Sequence, residues 1–195
     1  MKRKLFAVLA LMLALMLAFG NVTVLASSQA NVNNPQGASM EYAPLSSQSK
    51  VKNLPDSSKS YGTLTSNAWR TTGNGFISGN TRQWNYQVSA EYKGSKTVEK
   101  IRTTWRGSAS LRNSASITLG ISNSGGSAGT SSSWQSVNTV SKYWENSNGA
   151  KSSSWSSNMI VTPSKDYRDN TIALVNTAVV ILTCDKRPFE ISAGV

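Results

Sequence analysis

The chain has 195 residues, 20 lysines and arginines against 9 carboxylates, no histidine and one cysteine. The missing histidine excludes imidazole metal sites and the usual Ser-His-Asp and Cys-His nucleophiles, and a single thiol builds neither an intramolecular disulfide nor a zinc site. Stability must therefore come from an apolar core, and hydrolysis would need a pair of carboxylates of the kind that cleaves glycosides.

Lys2, Arg3 and Lys4 precede an unbroken apolar run over residues 5–19, and Val24, Leu25 and Ala26 supply small residues at −3 and −1. This predicts a secretory signal peptide over residues 1–26, cleaved before Ser27, and an extracellular protein that is free or associated with the cell wall. A retained anchor is the alternative, but the run is near the lower length limit for a membrane span and no stop-transfer pattern follows. No cysteine lies near the cleavage site to accept a lipid. Processing leaves 17 basic residues against 9 acidic ones, about +8. That surplus suits acidic polysaccharides, wall polymers or anionic lipid surfaces, and it also serves plain solubility. Nucleic acid is not the expected partner.

Residues 27–60 are rich in Ser, Asn, Gln and Pro without an apolar period and read as a flexible leader or pro-segment. The stretch Leu54-Pro55-Asp56-Ser57 resembles a wall-sorting signal only faintly, since no apolar tail follows it. From Tyr61 the pattern changes to short alternating runs punctuated by Gly, Asn and Ser, which predicts one β domain over residues 61–195.

Its clearest strand alternates Trp84, Tyr86, Val88, Ala90 and Tyr92 with Gln83, Asn85, Gln87, Ser89 and Glu91. After Lys93-Gly94-Ser95-Lys96, Ile101, Thr103, Trp105, Ala109 and Leu111 share one parity. A two-residue type II′ turn at Gly94-Ser95 would pair these runs and set Trp84 opposite Trp105. Arg112-Asn113-Ser114 reads as a turn into a third strand through Ile117, Leu119 and Ile121. Further strands are expected around Trp134 to Val140, Trp155 to Val161, Thr171 to Thr183 and Phe189 to Val195. The apolar run from Ile172 to Leu182 suggests a central strand buried on both faces, with Cys184 buried or half-buried at its end. About eight strands at this spacing predict a single antiparallel β-sandwich or jelly-roll-like domain.

The expected binding surface is the polar side of the hairpin. There Lys100, Arg102 and Arg106 would share a face with Gln83, Asn85 and Gln87, with Arg112 farther along. Guanidinium groups flanked by amides suit sulfate, phosphate or carboxylate groups on a polymer, although the same pattern describes an ordinary solvated sheet face. Tyr143 and Trp144, in a Ser/Asn/Gly-rich stretch read as a loop, are the aromatic candidates for stacking on sugar rings. Trp84, Trp105 and Trp155 sit on apolar parities and read as core. The Gly/Ser run at 124–133 lacks the alternating apolar partners of a pore-forming hairpin and reads as a connecting loop. Glu91 and Glu99 fall on opposite parities, and no spacing selects a catalytic pair.

The leading expectation is a secreted, non-catalytic module that binds anionic or carbohydrate polymers of the cell envelope or its surroundings, with no cofactor and no metal. A membrane-active protein of the toxin or bacteriocin type is the alternative. A carboxylate-pair hydrolase comes third.

Overall fold

The computed structural model describes residues 45–55, 60–120 and 125–195. The signal segment and residues 27–44 of the leader lie outside the described residues. Within them the chain is all β, two curled antiparallel sheets packed face to face, and none of its helices is long and apolar enough to cross a membrane.

Sheet A is built from β1 (Leu45–Leu54), β2 (Gly62–Thr71), β4 (Thr81–Lys93), β10 (Ser152–Thr162), β6 (Ser116–Thr118) and β7 (Gly126–Ser127), in that spatial order. The short β3 (Phe76–Ser78) also pairs with β4. Sheet B has the order β12 (Asp185–Gly194), β11 (Ala173–Leu182), β5 (Val98–Leu111) and β8 (Gln135–Asn138), and β9 (Lys142–Ser147) also pairs with β5. Among the described residues there is, beyond these strands, one 3₁₀ turn, Ser164–Asp166.

β1 corrects the leader boundary. Residues 45–54, polar enough to read as linker, pair with β2 along their whole length, from Leu45↔Thr71 to Leu54↔Gly62. Among residues 46–54 only Leu54 is fully buried, so the strand rests on backbone pairing and shows no apolar period.

The larger correction concerns the expected hairpin. β4 and β5 are consecutive and share no ladder: β4 pairs with β2, β3 and β10, and β5 pairs with β11, β8 and β9. The chain between them crosses from one sheet to the other. Gly94 lacks the positive φ that the first central position of a type II′ turn requires. Close approach explains the glycine instead, since a Cβ there would lie 2.2 Å from both the Tyr61 carbonyl oxygen and the Tyr92 hydroxyl. The next connection also changes sheets. Asn113 and Ser114 adopt φ of 50° and 62°, and β6 joins β10 in sheet A, so the expected three-strand meander does not form.

The alternation itself holds. Trp84, Tyr86, Val88, Ala90 and Tyr92 point inward from sheet A and meet Ile101, Thr103, Trp105, Ala109 and Leu111 from sheet B. Trp84 and Trp105 thus share a core without being cross-strand partners. Trp105 donates from Nε1 to the Tyr86 hydroxyl at 2.9 Å and stacks on Trp155 at 6.0 Å. The phase slips once, where Ile181 pairs with Lys100 and Leu182 with Val98. This bulge leaves Glu99 exposed and Val98 buried, opposite to a strict alternation.

β11 is central in sheet B, but only one of its faces is fully buried. Leu174, Asn176, Ala178, Val180 and Leu182 are buried, and Val175, Thr177, Val179 and Ile181 are half-buried on the outer side. Cys184 is exposed on the turn into β12, correcting the buried placement.

A polar layer divides the core. Ser66, Thr103 and Asn176 are all 0% exposed and lie between two apolar clusters. The Asn176 side chain crosses from β11 to sheet A, where Nδ2 donates to Ser66 Oγ at 3.0 Å, the Asn67 carbonyl at 3.0 Å and the Ser89 carbonyl at 2.9 Å. Its Oδ1 accepts from Thr103 Oγ1 at 2.5 Å, and Ser66 Oγ donates to the Asn176 carbonyl at 3.0 Å. The polar residue that interrupts the apolar run is thus the group that fastens one sheet to the other.

Candidate functional site

Because β4 and β5 lie in different sheets, the expected composite face does not exist. Gln83, Asn85 and Gln87 project from the outer side of sheet A, and Lys100, Arg102 and Arg106 from the outer side of sheet B. The amides and the cations face away from each other, with the whole core between them.

On sheet B, β9 extends the cationic surface. Its register sets Glu145 beside Arg102 and Tyr143 beside Thr104, so Tyr143 and Glu145 share the outer face with the three cations. Tyr143 and Trp144 therefore lie on a strand, not the expected loop. Arg102 Nε donates to Glu145 Oε2 at 2.7 Å, and Lys100 Nζ lies 3.1 Å from Glu145 Oε1. The Arg102 guanidinium stands 4.8 Å from the centre of the Tyr143 ring. Partial burial opposes ionisation of Glu145, but hydrogen bonds and charge from Arg102 and Lys100 outweigh it and hold its carboxyl below the usual range. Glu145 thereby braces two cations side by side and cancels one of their charges. Arg106, four residues beyond Arg102 on the same face, is exposed and makes no ion pair among the described residues.

Two expected site residues lie elsewhere. Arg112, at the far end of β5, is held by Asp166 through Nε at 3.2 Å and covers the Trp134 ring at 4.5 Å. Asn113 also donates to Asp166, at 2.8 Å. Arg112 therefore secures the loop around the 3₁₀ turn and is not part of the cation row. Trp144 has the opposite parity from Tyr143 and leans on Trp155 at 5.4 Å, ending a stack that runs from Trp105 to the surface.

The carboxylates are dispersed. Glu99, Glu145, Asp166, Asp169 and Asp185 each face a lysine or arginine, whereas Glu91 and Glu190 stand on the outer faces of opposite sheets.

Sheet A carries a feature that the sequence reading missed. Trp69, Asn85, Gln87, Ser156 and Asn158 line a shallow groove of about 360 Å³ on its outer face, floored by the strands at Tyr86 and Ser157. A signal for it was visible in β2, where Leu64, Ser66 and Ala68 alternate with Thr63, Thr65, Asn67 and Trp69. A tryptophan on the polar parity of a strand points away from the core. No protein-family model and no curated protein matches this chain.

Proposed function

We propose that the protein is a non-catalytic module that binds an anionic polymer of the cell envelope or its surroundings. The observation carrying this reading is the row of Lys100, Arg102 and Arg106 on the outer face of sheet B, flanked by exposed Tyr143. One surface cation contributes little in water, but a row engages several anionic groups of one chain at once and releases their counterions. Glu145 occupies Nε and Nη2 of Arg102, leaving its other donors for sulfate, phosphate or carboxylate oxygens. The test is retention of the processed protein on immobilised heparin and on a teichoic-acid-type polymer across a salt series. Arg102→Gln combined with Arg106→Gln should elute at lower salt, and elution at the parent's salt on both matrices would refute the reading.

One observation favours a second reading, contact with an anionic membrane surface. Val140, Tyr143, Trp144 and Trp134 are 60%, 63%, 45% and 39% exposed and are spread along the β8 and β9 segments that pair with β5. Aromatic rings beside cations suit a headgroup layer. Dye leakage from phosphatidylglycerol vesicles, abolished by Trp144→Ala, would move the assignment there.

A further inference from the structure

The outer face of sheet A is laid out in rows. The registers align Ser47, Trp69, Gln87 and Ser156 across four strands, and Ser49, Asn67, Ser89 and Ser154 in the next row. On the other side of Trp69, Asn85 pairs with Asn158. Rows of this kind repeat about every 4.8 Å across strands and about 6.8 Å along them, a mesh on the scale of a sugar ring. No residue lining the groove is charged. That is unusual in a chain with 20 basic residues among 195.

The polar groups of the groove are also uncommitted. Asn67 donates to Ser89 Oγ at 3.0 Å, but the side chains of Asn85, Gln87, Ser156 and Asn158 make no hydrogen bond to protein among the described residues. Carboxamides offer two donors and an acceptor, and hydroxyls offer both, which matches the dual character of sugar hydroxyls. The indole of Trp69, half-buried at the groove wall, supplies a flat apolar surface for the C–H face of a ring. We infer that this groove is a second binding site, distinct from the cation row, that takes an uncharged glycan stacked on Trp69 and hydrogen-bonded by Asn85, Gln87 and Asn158.

Other occupants fit less well. A nucleic acid would find stacking but no cation for its phosphates. An extended peptide adds to a sheet at an open edge, whereas Trp69 and Gln87, at the middle of the groove, lie on strands paired on both sides there. A lipid surface would meet amides and hydroxyls around a single aromatic ring.

Binding of the processed protein to cellulose, chitin, soluble β-1,3-glucan and mannan tests the inference. At least one of these polymers should bind, with little dependence on salt because no charge is neutralised. Trp69→Ala should weaken that binding by about tenfold or more, the size of one lost stacking contact. Gln87→Ala with Asn158→Ala, a change confined to the outer face, should weaken it also and keeps the test open if Trp69→Ala unfolds. The Arg102→Gln/Arg106→Gln variant should bind the neutral glycan like the parent, which separates this site from the cation row. Failure of the parent to bind all four polymers, or parent-like binding by both groove variants, would overturn the inference and leave the anionic-polymer reading untouched.

Discussion

The outer faces of the two sheets are made by the same device and come out chemically opposite. Each is the polar half of a period-2 alternation whose apolar half fills the core. Sheet A presents serines, asparagines and glutamines around Trp69, and sheet B presents Lys100, Arg102 and Arg106 around Tyr143. An uncharged array recognises by hydrogen-bond geometry and stacking, and its affinity resists salt. A cationic array recognises by charge density, and its affinity falls as salt rises. One sandwich can therefore carry two independent selectivities, because a buried core and not a shared cleft separates them.

The largest way to break this comparison is to cut the polar layer that joins the faces. Asn176→Ala removes a side chain bonded to both sheets, strands the buried Thr103 hydroxyl and leaves Ser66 only its bond to the residue-176 carbonyl. The stranded hydroxyl costs about 1–3 kcal/mol and each hydrogen bond lost with the amide about 1 kcal/mol, so unfolding in urea should show a loss of about 3–5 kcal/mol. Replacing the whole layer by Ser66→Ala, Thr103→Val and Asn176→Leu should cost less than the single change, because no hydroxyl is then stranded. If the triple variant is the less stable of the two, the layer acts through packing and not through its hydrogen bonds.

Next in size is an effect of pH on the core that both faces share. Burial pushes the Tyr86 hydroxyl up to about 12, against smaller opposing hydrogen bonds from Trp105 and Ser157. A tyrosine in the unfolded chain titrates near 10, so the folded state holds this proton more tightly. The resulting stability is fully present below about pH 10 and is lost as pH rises toward about 12, on the order of 2–3 kcal/mol. Tyr86→Phe should remove that part of the alkaline decline when stability is followed by denaturant titration at successive pH values. Identical slopes for parent and variant would contradict the assignment.

A smaller effect sharpens the contrast between the faces themselves. Arg102→Gln with Arg106→Gln should cost about 1–3 kcal/mol in polyanion binding and flatten the salt dependence. Stability should change by no more than about 0.5 kcal/mol, since exposed cations contribute little to folding. A large fall in melting temperature would mean instead that the brace through Glu145 supports the β9 edge.

Much of this arrangement was legible in the sequence strand by strand. The alternations of β4 and β5 predicted which side chains turn inward, and Trp84, Tyr86, Val88, Ile101 and Trp105 are all in the core. The inward tryptophans and the outward arginines were correctly separated on these strands. β1 was illegible because its backbone pairing does not require an apolar face, and the bulge at Glu99 was illegible because a one-residue slip leaves no mark in composition. Trp69 was legible and went unread, although its polar parity marks it as outward.

Pattern along a strand thus determined the all-β class and the inward or outward sense of most residues, because side-chain direction follows from backbone geometry alone. Only the tertiary structure decided which outward residues share a surface. The inward residues of β4 and β5 meet whether the two strands lie side by side or face each other across a core, so burial does not distinguish a hairpin from a crossing. The distinction rests on the close approach of Gly94 to Tyr61 and Tyr92, and on β2, β3 and β10 occupying the edges of β4. Those contacts span distant parts of the chain, and they place amides and cations on opposite sides of the molecule.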